Sequence, residues 1–178
     1  LVTDCRTAEL SKLVENSFRD VNIAFANELS LISDELGINV WELIRLSNRH
    51  PRVNILQPGP GVGGHCIAVD PWFIVDSAPE QSRLIYTARL VNDSMPSFIL
   101  EKIRQAAEHI DKELANLTIA CFGLAYKPDI DDLRESPALN IAQQVGLMGF
   151  GRLIVVEPHI CILPPGFDAA TVDLVDLD

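Results

Sequence analysis

The first part of the chain carries apolar residues at helical spacing. Over about residues 8–35 they recur in steps of three and four, which predicts one long amphipathic helix. Gly37 is typical of a helix end. The residues Asn39-Val40-Trp41-Glu42 then fit a capping box that opens a second helix, ending near Ser47. The apolar positions of the first helix are Leu10, Leu13, Val14, Phe18, Val21, Ala24, Phe25, Leu29 and Ile32.

The middle of the chain passes from a glycine-rich loop into further helices. Residues 54–64 contain two prolines and four glycines, so no regular element can persist there. The pattern predicts a helical stretch near residues 72–76 and a long helical region over about 79–115, broken or restarted near Pro96. These helices carry more apolar faces than one small helical unit can bury, which indicates contact with another subunit.

The pattern changes at Leu117. Residues 117–123 form a short apolar run ending in glycine, which predicts a buried parallel strand. Ser136-Pro137 opens a helix, and residues 152–156 form a second strand. Such a β-α-β unit needs further strands, and the pattern shows none. We therefore predict a mainly α, central helical dimerisation domain, residues 1–115, joined to a partial α/β Rossmann-like domain, residues 116–178.

Composition narrows the function classes. The net charge of -11 and the pI near 4.7 argue against nucleic-acid and anionic-membrane binding, because phosphates repel an acidic chain. Four widely spaced cysteines without a CxxC pair argue against a metal cluster or a disulfide framework and favour a reducing, cytoplasmic location. The chain begins with Leu1 rather than Met, so we expect a fragment.

A glycine loop leads into Cys66. Residues 58–66, PGPGVGGHC, let the backbone approach a ligand closely because glycine has no side chain. A cysteine near a helix start meets backbone N–H groups that favour the reactive thiolate. The alternative is a small buried side chain, as most free cysteines are. The loop imitates a GxGxxG fingerprint, but no strand precedes it, so we do not expect dinucleotide binding there.

Three other polar side chains are candidates for the same site. Asp70 lies four residues after Cys66, so a helix would place both on one face, where the carboxylate could position water near the sulfur. Alternatively, Asp70 is a first-turn aspartate favoured by the helix dipole. Lys12 and Asn16 are also four residues apart and present an ammonium and an amide on one face. Their alternative is a solvated flank.

A charged loop follows the first predicted strand. Lys127 and Arg134 lie at the carboxyl end of that strand, where doubly wound folds bind ligands. The helix opening at Ser136 offers free N–H groups to anions, so the two cations could meet a diphosphate. The alternative is a surface loop whose charges pair with one another.

These three places occur in the same order in the UDP-glucose/GDP-mannose dehydrogenase family, which the chain resembles. Residues 8–16 are similar to the start of that family's central helix, residues 58–70 to its catalytic-cysteine loop, and residues 123–137 to the entry of its C-terminal nucleotide-sugar domain. Members that act on UDP-glucose or GDP-mannose typically have a lysine where this chain has Val69. Together with residues 48–57, this resemblance favours UDP-N-acetyl-D-mannosamine as the substrate.

The resemblance implies oxidation of a sugar C6 alcohol to a carboxylate, with two NAD⁺ used in turn, for surface polysaccharide synthesis. Cys66 would carry a thiohemiacetal and then a thioester. Lys12 and Asn16 would stabilise oxygen charge and organise water, and Asp70 would position water or act as a base. The substrate-binding positions that the resemblance carries over are Arg52, reaching a neighbouring subunit's site, Gly61, Gly63, Lys127 and Arg134, of which the last two are also candidates for contacting the cofactor.

The family's N-terminal NAD-binding domain has no counterpart in this sequence, so we expect the isolated chain to be inactive. The partners expected from the resemblance are a UDP-sugar and a second copy bound through the central helices. One alternative is a dehydrogenase of UDP-glucose or UDP-N-acetylglucosamine, and another is a non-catalytic dimerisation and nucleotide-sugar-binding module. A third is a cysteine hydrolase that pairs Cys66 with His50 or His65.

Overall fold

The computed structural model describes residues 2–176, which divide into two compact units between Met95 and Pro96. We call the part up to Met95 unit 1 and the part from Pro96 unit 2. The division falls earlier than the predicted boundary at residues 115 and 116, and that functional boundary stays a prediction. Within the described part, no helix combines the length and the apolarity that crossing a membrane requires.

Unit 1 is built from helices. Helix α1 spans Cys5–Glu35, α2 spans Val40–Ser47 and α3 spans Asp70–Ser77, while α4, Arg83–Glu108, begins in unit 1 and ends in unit 2. The predicted first two helices are confirmed, and α1 packs against both α2 and α3.

The caps of α1 and α2 explain where these helices begin. α1 starts three residues before the apolar stripe suggested, because the Asp4 carboxylate accepts from the Thr7 N–H at 3.1 Å. Asn39 caps α2 as predicted, since its side chain accepts from the backbone N–H groups of Trp41 and Glu42.

Helix α1 turns its polar side inward and much of its apolar side outward. Its buried face includes Asn16, Asp20 and Asn27, whereas Phe18 is 68% exposed and Phe25 is 52% exposed. The predicted apolar stripe therefore exists, but most of it does not face the interior of unit 1. The exposed large apolar residues of α1 are Leu10, Val14, Phe18, Phe25 and Ile32.

Helix α4 continues through Pro96 without a break, although a break or restart there was predicted. The region predicted as helical over 79–115 narrows to Arg83–Glu108, followed by the short 3-10 helix Leu114–Asn116. Proline has no N–H to donate to the preceding turn, so the helix tolerates one missing hydrogen bond at this position. The two compact units divide at this same proline.

Unit 2 contains a small parallel sheet. Strands β1, Thr118–Phe122, and β2, Arg152–Val156, pair in parallel with Thr118 opposite Arg152, and helix α5, Pro137–Gly146, connects them. This confirms the predicted strand-helix-strand order. α5 packs on the sheet, and the core is formed by Leu124, Ile141, Ala142, Val145, Leu153, Val155 and Val172.

The expectation of no further strand is wrong. Strand β3, Val172–Val175, pairs in parallel with β2 and sets Leu153 opposite Val172, giving the order β1-β2-β3. The strand is only four residues long and Asp173 interrupts its apolar run, so it carries little sequence signal. Asp173 faces Arg152 on β2, with Nε and Oδ2 2.5 Å apart, so the polar residue has a partner on the neighbouring strand.

Candidate active site

Asn16 and Asp70 meet in unit 1 although they lie far apart in sequence. Asn16 is buried on α1, and its Nδ2 donates to Oδ2 of Asp70 at 2.6 Å. Asp70 is the first residue of α3 and is half-buried. It is thus a first-turn aspartate, as one interpretation held, and also the partner of a predicted site residue.

Cys66 lies in the turn that leads into α3 and is exposed to solvent. Its carbonyl oxygen accepts from the N–H groups of Val69, at 3.1 Å, and Asp70, at 2.8 Å. The second bond has the four-residue step of a helix, so residues 66 and 70 lie along the same side of this turn. The thiol is free, and the interpretation of Cys66 as a small buried side chain is wrong.

Lys12 lies one helical turn before Asn16, on the exposed flank of α1. Its ammonium is 3.5 Å from the Glu15 carboxylate, and its side chain is 65% exposed. Sequence spacing placed Lys12 and Asn16 on one side of the helix, but the structure brings only Asn16 to Asp70. The catalytic role of Lys12 stays a prediction.

The glycine loop, residues 58–64, depends on backbone conformations that other residues rarely adopt. Gly61 has φ of 125° and Gly64 has φ of 79°, both in the region where a side chain would be strained. Gly63, the other predicted substrate-binding glycine, is half-buried beside Gly64. The loop follows α2 rather than a strand, as predicted.

Arg52, the remaining predicted position in unit 1, lies in the exposed segment before this loop. The N–H of Arg52 donates to Nδ1 of His50 at 3.2 Å, which engages one nitrogen of the histidine in a local turn. The structure thus gives no support to a hydrolase that pairs His50 with Cys66.

A buried polar network ties α1 and α4 to the glycine loop. Nη1 of Arg89 is 2.6 Å from Oδ1 of Asp20, and Nδ2 of Asn92 donates to the same oxygen at 2.8 Å. Nδ2 of Asn27 donates to Oδ1 of Asn92 at 2.8 Å, and Oδ1 of Asn27 accepts from the N–H of Gly59 at 2.8 Å. These four side chains are at most 2% exposed.

Burial makes the charged state of Asp20 in the Arg89–Asp20 ion pair unfavourable. Removal from water raises the pKa of Asp20, and the Arg89 guanidinium and the Asn92 amide oppose that rise only in part. Asp93, which also pairs with Arg89, adds to the rise through its own charge. The carboxylate therefore depends on Arg89 to remain charged in the interior.

A cleft of about 430 Å³ opens one helical turn from the Asn16–Asp70 pair. Leu13 on α1 and Phe73 on α3 contribute to its walls. Its volume lies within the usual range of small-molecule sites. Among the described residues, no group of three or more histidine, cysteine, aspartate or glutamate side chains could hold a metal ion.

In unit 2, Glu157 binds the backbone where β1 and β2 end. Its Oε2 accepts from the N–H groups of Leu124, at 2.8 Å, and Ala125, at 3.1 Å, and its Oε1 accepts from the N–H of His159 at 3.2 Å. Burial alone would raise the pKa of Glu157, but these three N–H groups together lower it below its usual value of 4.5. The ionised carboxylate thus holds the turn after β1 in place.

The predicted helix start at Ser136 is confirmed and joins the same turn. Oγ of Ser136 accepts from the N–H of Leu139 at 3.4 Å and donates to the carbonyl of Leu124 at 2.6 Å. One hydroxyl therefore caps α5 and holds the end of β1 to the helix start.

The two predicted cations of unit 2 lie on the exposed loop between β1 and α5. Nζ of Lys127 is 5.7 Å from the centre of the Tyr126 ring. Arg134 binds Asp132 through Nε, at 2.9 Å, and Nη2, at 2.7 Å. The second contact fits the interpretation of a loop whose charges pair with one another. The roles of both cations in binding a substrate or NAD stay predictions.

Sequence reasoning missed the buried polar network and Glu157. The signal for the network was present, because Asn16, Asp20 and Asn27 repeat at steps of four and seven along α1, which puts them on one face. The signal for Glu157 was its place directly after a buried parallel strand. Neither signal identifies the distant partners, since Asn92 lies 65 positions from Asn27 and Leu124 lies 33 positions from Glu157.

Comparison with known families agrees with this arrangement of helices, cysteine turn and sheet. Residues 6–94 match the central domain of the UDP-glucose/GDP-mannose dehydrogenase family, and residues 120–167 match the UDP binding domain of the same family. The chain belongs to this family.

Individual relatives are similar over nearly the whole chain. The UDP-N-acetyl-D-mannosamine dehydrogenase of Yersinia pestis is 64% identical over 168 residues, which are 92% of this chain and 40% of that protein. The NDP-N-acetyl-D-galactosaminuronic acid dehydrogenase of Ralstonia nicotianae is 65% identical over 164 residues, which are 92% of this chain and 38% of that protein. The chain thus spans about two fifths of the length of these curated relatives.

A solved structure shows the same fold. The UDP-D-ManNAc dehydrogenase of Pyrococcus horikoshii is 38% identical, with a TM-score of 0.81, and the match covers 98% of this chain and 43% of that one.

The first prediction concerns the buried ion pair. Arg89→Met should lower the free energy of unfolding by about 3–5 kcal/mol, because it leaves the Asp20 carboxyl buried without its counter-ion. The matched change Arg45→Met removes an exposed pair with Glu42 and should lower it by about 1 kcal/mol or less. Urea denaturation of both variants at neutral pH measures the difference.

The deficit of Arg89→Met should also shrink as the pH falls. A carboxyl with a raised folded pKa binds a proton that the unfolded state releases, so stability drops as the pH rises through that pKa. Without Arg89, the cost of keeping Asp20 charged is larger, and acid relieves it. Equal losses for the two arginine variants, or a deficit that grows in acid, would contradict this account.

The second prediction concerns the carboxylate that holds the turn after β1. Glu157→Gln should lower the free energy of unfolding at pH 7 by about 1–3 kcal/mol, because a carboxamide cannot accept from all three N–H groups. The contribution of Glu157 is fully present above 4.5 and is lost as the pH falls through its lower folded pKa. The gap from the unmodified chain should therefore close in acid. Glu101→Gln, at an exposed pair with Arg104, serves as the control.

Proposed function

We propose that this chain supplies the central and nucleotide-sugar-binding parts of an NAD-dependent UDP-N-acetyl-D-mannosamine 6-dehydrogenase. The observation that carries the proposal is the bond between Asn16 and Asp70, which brings an amide and a carboxylate to the turn that bears an exposed, free Cys66. Membership of the dehydrogenase family supports the reaction type. The product would be a uronic acid for surface polysaccharide synthesis.

In this proposal Cys66 acts as the nucleophile. After the first oxidation of the C6 alcohol, the sulfur adds to the carbon of the aldehyde and the carbonyl oxygen takes up negative charge. The Asn16 amide, held in a buried position on α1, is suited to donate to an oxygen or a water at this point. Lys12 would add a positive charge from the rim of the site.

Asp70 would serve the second half of the reaction. Oxidation of the sulfur adduct gives a thioester, and a water molecule must then attack its carbonyl carbon to release the carboxylate and the thiolate. A carboxylate can accept the proton of that water. Because Asn16 binds only one oxygen of Asp70, the bond orients the carboxylate and leaves Oδ1 for a water.

Among the described residues, neither unit offers the phosphate-binding turn of a dinucleotide fold. A dinucleotide fold uses the N–H groups of the first turn after a strand to hold the pyrophosphate. In unit 2 the corresponding N–H groups, those of Leu124 and Ala125, already donate to Glu157. The glycine loop of unit 1 follows a helix. We infer that the hydride acceptor is bound by a domain other than these two, so the chain by itself should not turn over.

The sugar specificity rests on sequence rather than on a contact. Val69 stands immediately before Asp70, where UDP-glucose and GDP-mannose enzymes typically carry lysine. Relatives named for N-acetylmannosamine and for N-acetylgalactosaminuronic acid are 64% and 65% identical, so the hexosamine class is better supported than the individual sugar. Lys127 and Arg134 would contact the nucleotide portion, with Arg52, Gly61 and Gly63 nearer the sugar.

The third prediction tests the reaction. The complete product of the gene encoding these residues should release two NADH per UDP-N-acetylmannosamine, whereas UDP-glucose and UDP-N-acetylglucosamine should react more slowly. Cys66→Ala should abolish this four-electron turnover, because no thioester can form. Cys161→Ala, at another exposed free cysteine, should turn over normally. Absorbance at the NADH band measures both.

Labelling with iodoacetamide provides a second readout. Cys66 should react, and UDP-sugar should protect it, whereas Cys161 should react equally with and without the sugar. A Cys66→Ala enzyme that still yields two NADH per sugar would overturn the proposed chemistry. Robust NADH production by the 178-residue chain alone would overturn the inference that NAD is bound elsewhere.

We also propose that two copies associate through the central helices. The apolar side of α1 is exposed in the single chain, and Val14, Phe18, Phe25 and Ile32 repeat along it at steps of four and seven. A continuous apolar stripe on a long helix is typical of an interface. A second copy would bury this stripe against its own equivalent, because a two-fold axis pairs like with like.

The fourth prediction tests this interface. Phe18→Lys should convert the dimer to a monomer or raise its dissociation constant at least about tenfold, because it places a charge in the centre of the stripe. Ile162→Lys, at an even more exposed apolar residue of unit 2, should leave the association unchanged. Sedimentation equilibrium of both variants measures the constants. Identical association of both variants would rule out the α1 interface.

A further inference from the structure

Two asparagines on the buried side of α1 each bind one end of the same segment. Oδ1 of Asn27 accepts from the N–H of Gly59 at 2.8 Å, and Nδ2 of Asn16 donates to Oδ2 of Asp70 at 2.6 Å. We call residues 59–70 the cysteine segment, since Cys66 lies within it. Asn16 and Asn27 are eleven residues apart, or about three helical turns, so they lie on the same side of α1, about 16 Å apart along its axis.

The cysteine segment is longer than the distance it must cover. Its ends are also eleven residues apart, and an extended chain of that length would reach about 36 Å. The segment must therefore fold back between its two attachment points. It does so with positive φ at Gly61 and Gly64 and with the turn over residues 65–69. The attachment points fix how much chain is available to place that turn.

The amide of Asn27 is held in one orientation. Its oxygen faces the N–H of Gly59, so its nitrogen must donate to Oδ1 of Asn92. The nitrogen of Asn92 in turn donates to Oδ1 of Asp20, which also binds Arg89. If the Asn27 amide were turned over, its nitrogen would face the N–H of Gly59, donor against donor. Its oxygen would face Oδ1 of Asn92, acceptor against acceptor, in the interior. The charged Asp20 carboxylate can only accept hydrogen bonds. It therefore fixes which group donates and which accepts in each bond from Asn92 through Asn27 to Gly59.

We propose that Asn27 is a positioning residue for Cys66. It holds the start of the cysteine segment at a set distance from the Asn16–Asp70 bond, so that the turn carrying the exposed thiol keeps its position relative to Asp70 during catalysis. The proposal rests on the proposed function for its effect on rate, but the attachment itself can be measured without turnover.

The fifth prediction tests whether the backbone N–H of Gly59, rather than the lack of a side chain at this position, is what the protein needs. Gly59→Pro removes the donor, whereas Gly59→Ala keeps it and has room, since no atom lies within 4 Å of an added Cβ. The ring carbon Cδ of proline would also stand where the amide hydrogen now points, toward Oδ1 of Asn27, so Gly59→Pro both removes the donor and pushes the start of the segment away from Asn27. In the complete gene product, Gly59→Pro should lower kcat about 10- to 100-fold, with KM for the UDP-sugar within about twofold. Gly59→Ala should retain at least about fivefold more activity than Gly59→Pro.

A second pair of variants acts from the helix. Asn27→Ala removes the acceptor and should speed hydrogen exchange of the Gly59 amide at least about tenfold at a temperature where the protein remains folded. It should lower kcat as Gly59→Pro does. Ser33→Ala, at another buried polar residue of α1 outside the network, should change neither exchange nor kcat. Where Asn27→Ala fails to fold, the Gly59 pair decides the question.

The outcomes distinguish the two proposals. An unmodified gene product that yields no NADH from any of the three UDP-sugars overturns the proposed function, while Gly59 exchange still tests the attachment. Unchanged exchange in folded Asn27→Ala overturns the attachment. Faster exchange with unchanged kcat, or equal activity of Gly59→Pro and Gly59→Ala, overturns the positioning role of Asn27.

Discussion

The buried ion pair between Arg89 and Asp20 is the contact on which the organisation of unit 1 depends. Both side chains are at most 2% exposed, and each needs the other because an isolated charge in the interior is strongly unfavourable. The pair joins α1 to α4, and the amides of Asn92 and Asn27 extend it to the glycine loop. A core of this kind gives little net stability for its size, but it defines one arrangement of the helices, since any other leaves charges unpaired.

The same constraint accounts for the unusual polarity of α1. The inner side of the helix is occupied by polar residues that bind α3, α4 and the glycine loop, so the large apolar residues are left on the outside. One helix therefore serves two surfaces with different chemistry. The inner surface holds the Asn16–Asp70 bond of the candidate active site, and the outer surface is the proposed contact with a second copy. The proposed assembly and the proposed catalysis would thus share a single helix.

Local signals in the sequence predicted most helices and strands. The features that depend on contacts between distant residues could not be predicted in this way. Asn39 and Ser136 allowed two helix starts to be predicted, because a capping side chain accepts from backbone N–H groups of the turn that follows it. β1 and β2 were visible as apolar runs, whereas β3 was missed because four residues that include an aspartate resemble a loop until the fold brings the side chain of Arg152 to Asp173. Helical periodicity found the apolar stripe of α1 but could not tell which side faces inward.

The candidate site was predicted in part for the same reason. Cys66 and Asp70 were related by a four-residue step, which a turn preserves, but the bond between Asn16 and Asp70 spans 54 positions and needed the fold. Lys12 illustrates the limit, because its spacing from Asn16 was correct and its side chain nevertheless lies beside Glu15. Glu157 and Asn27 bind backbone N–H groups, and their places in the sequence did not show which N–H groups these would be.

The spacing of Asn16 and Asn27 limits how α1 can change over evolutionary time. Each residue inserted into a helix turns everything beyond it by about 100°. One added or lost position between these asparagines would swing one of them away from the segment it holds, whatever its identity. The outer positions of this stretch can exchange one apolar residue for another, but its length cannot drift. We expect insertions to be tolerated instead in the exposed loops, where added residues do not rotate one part of a helix relative to another.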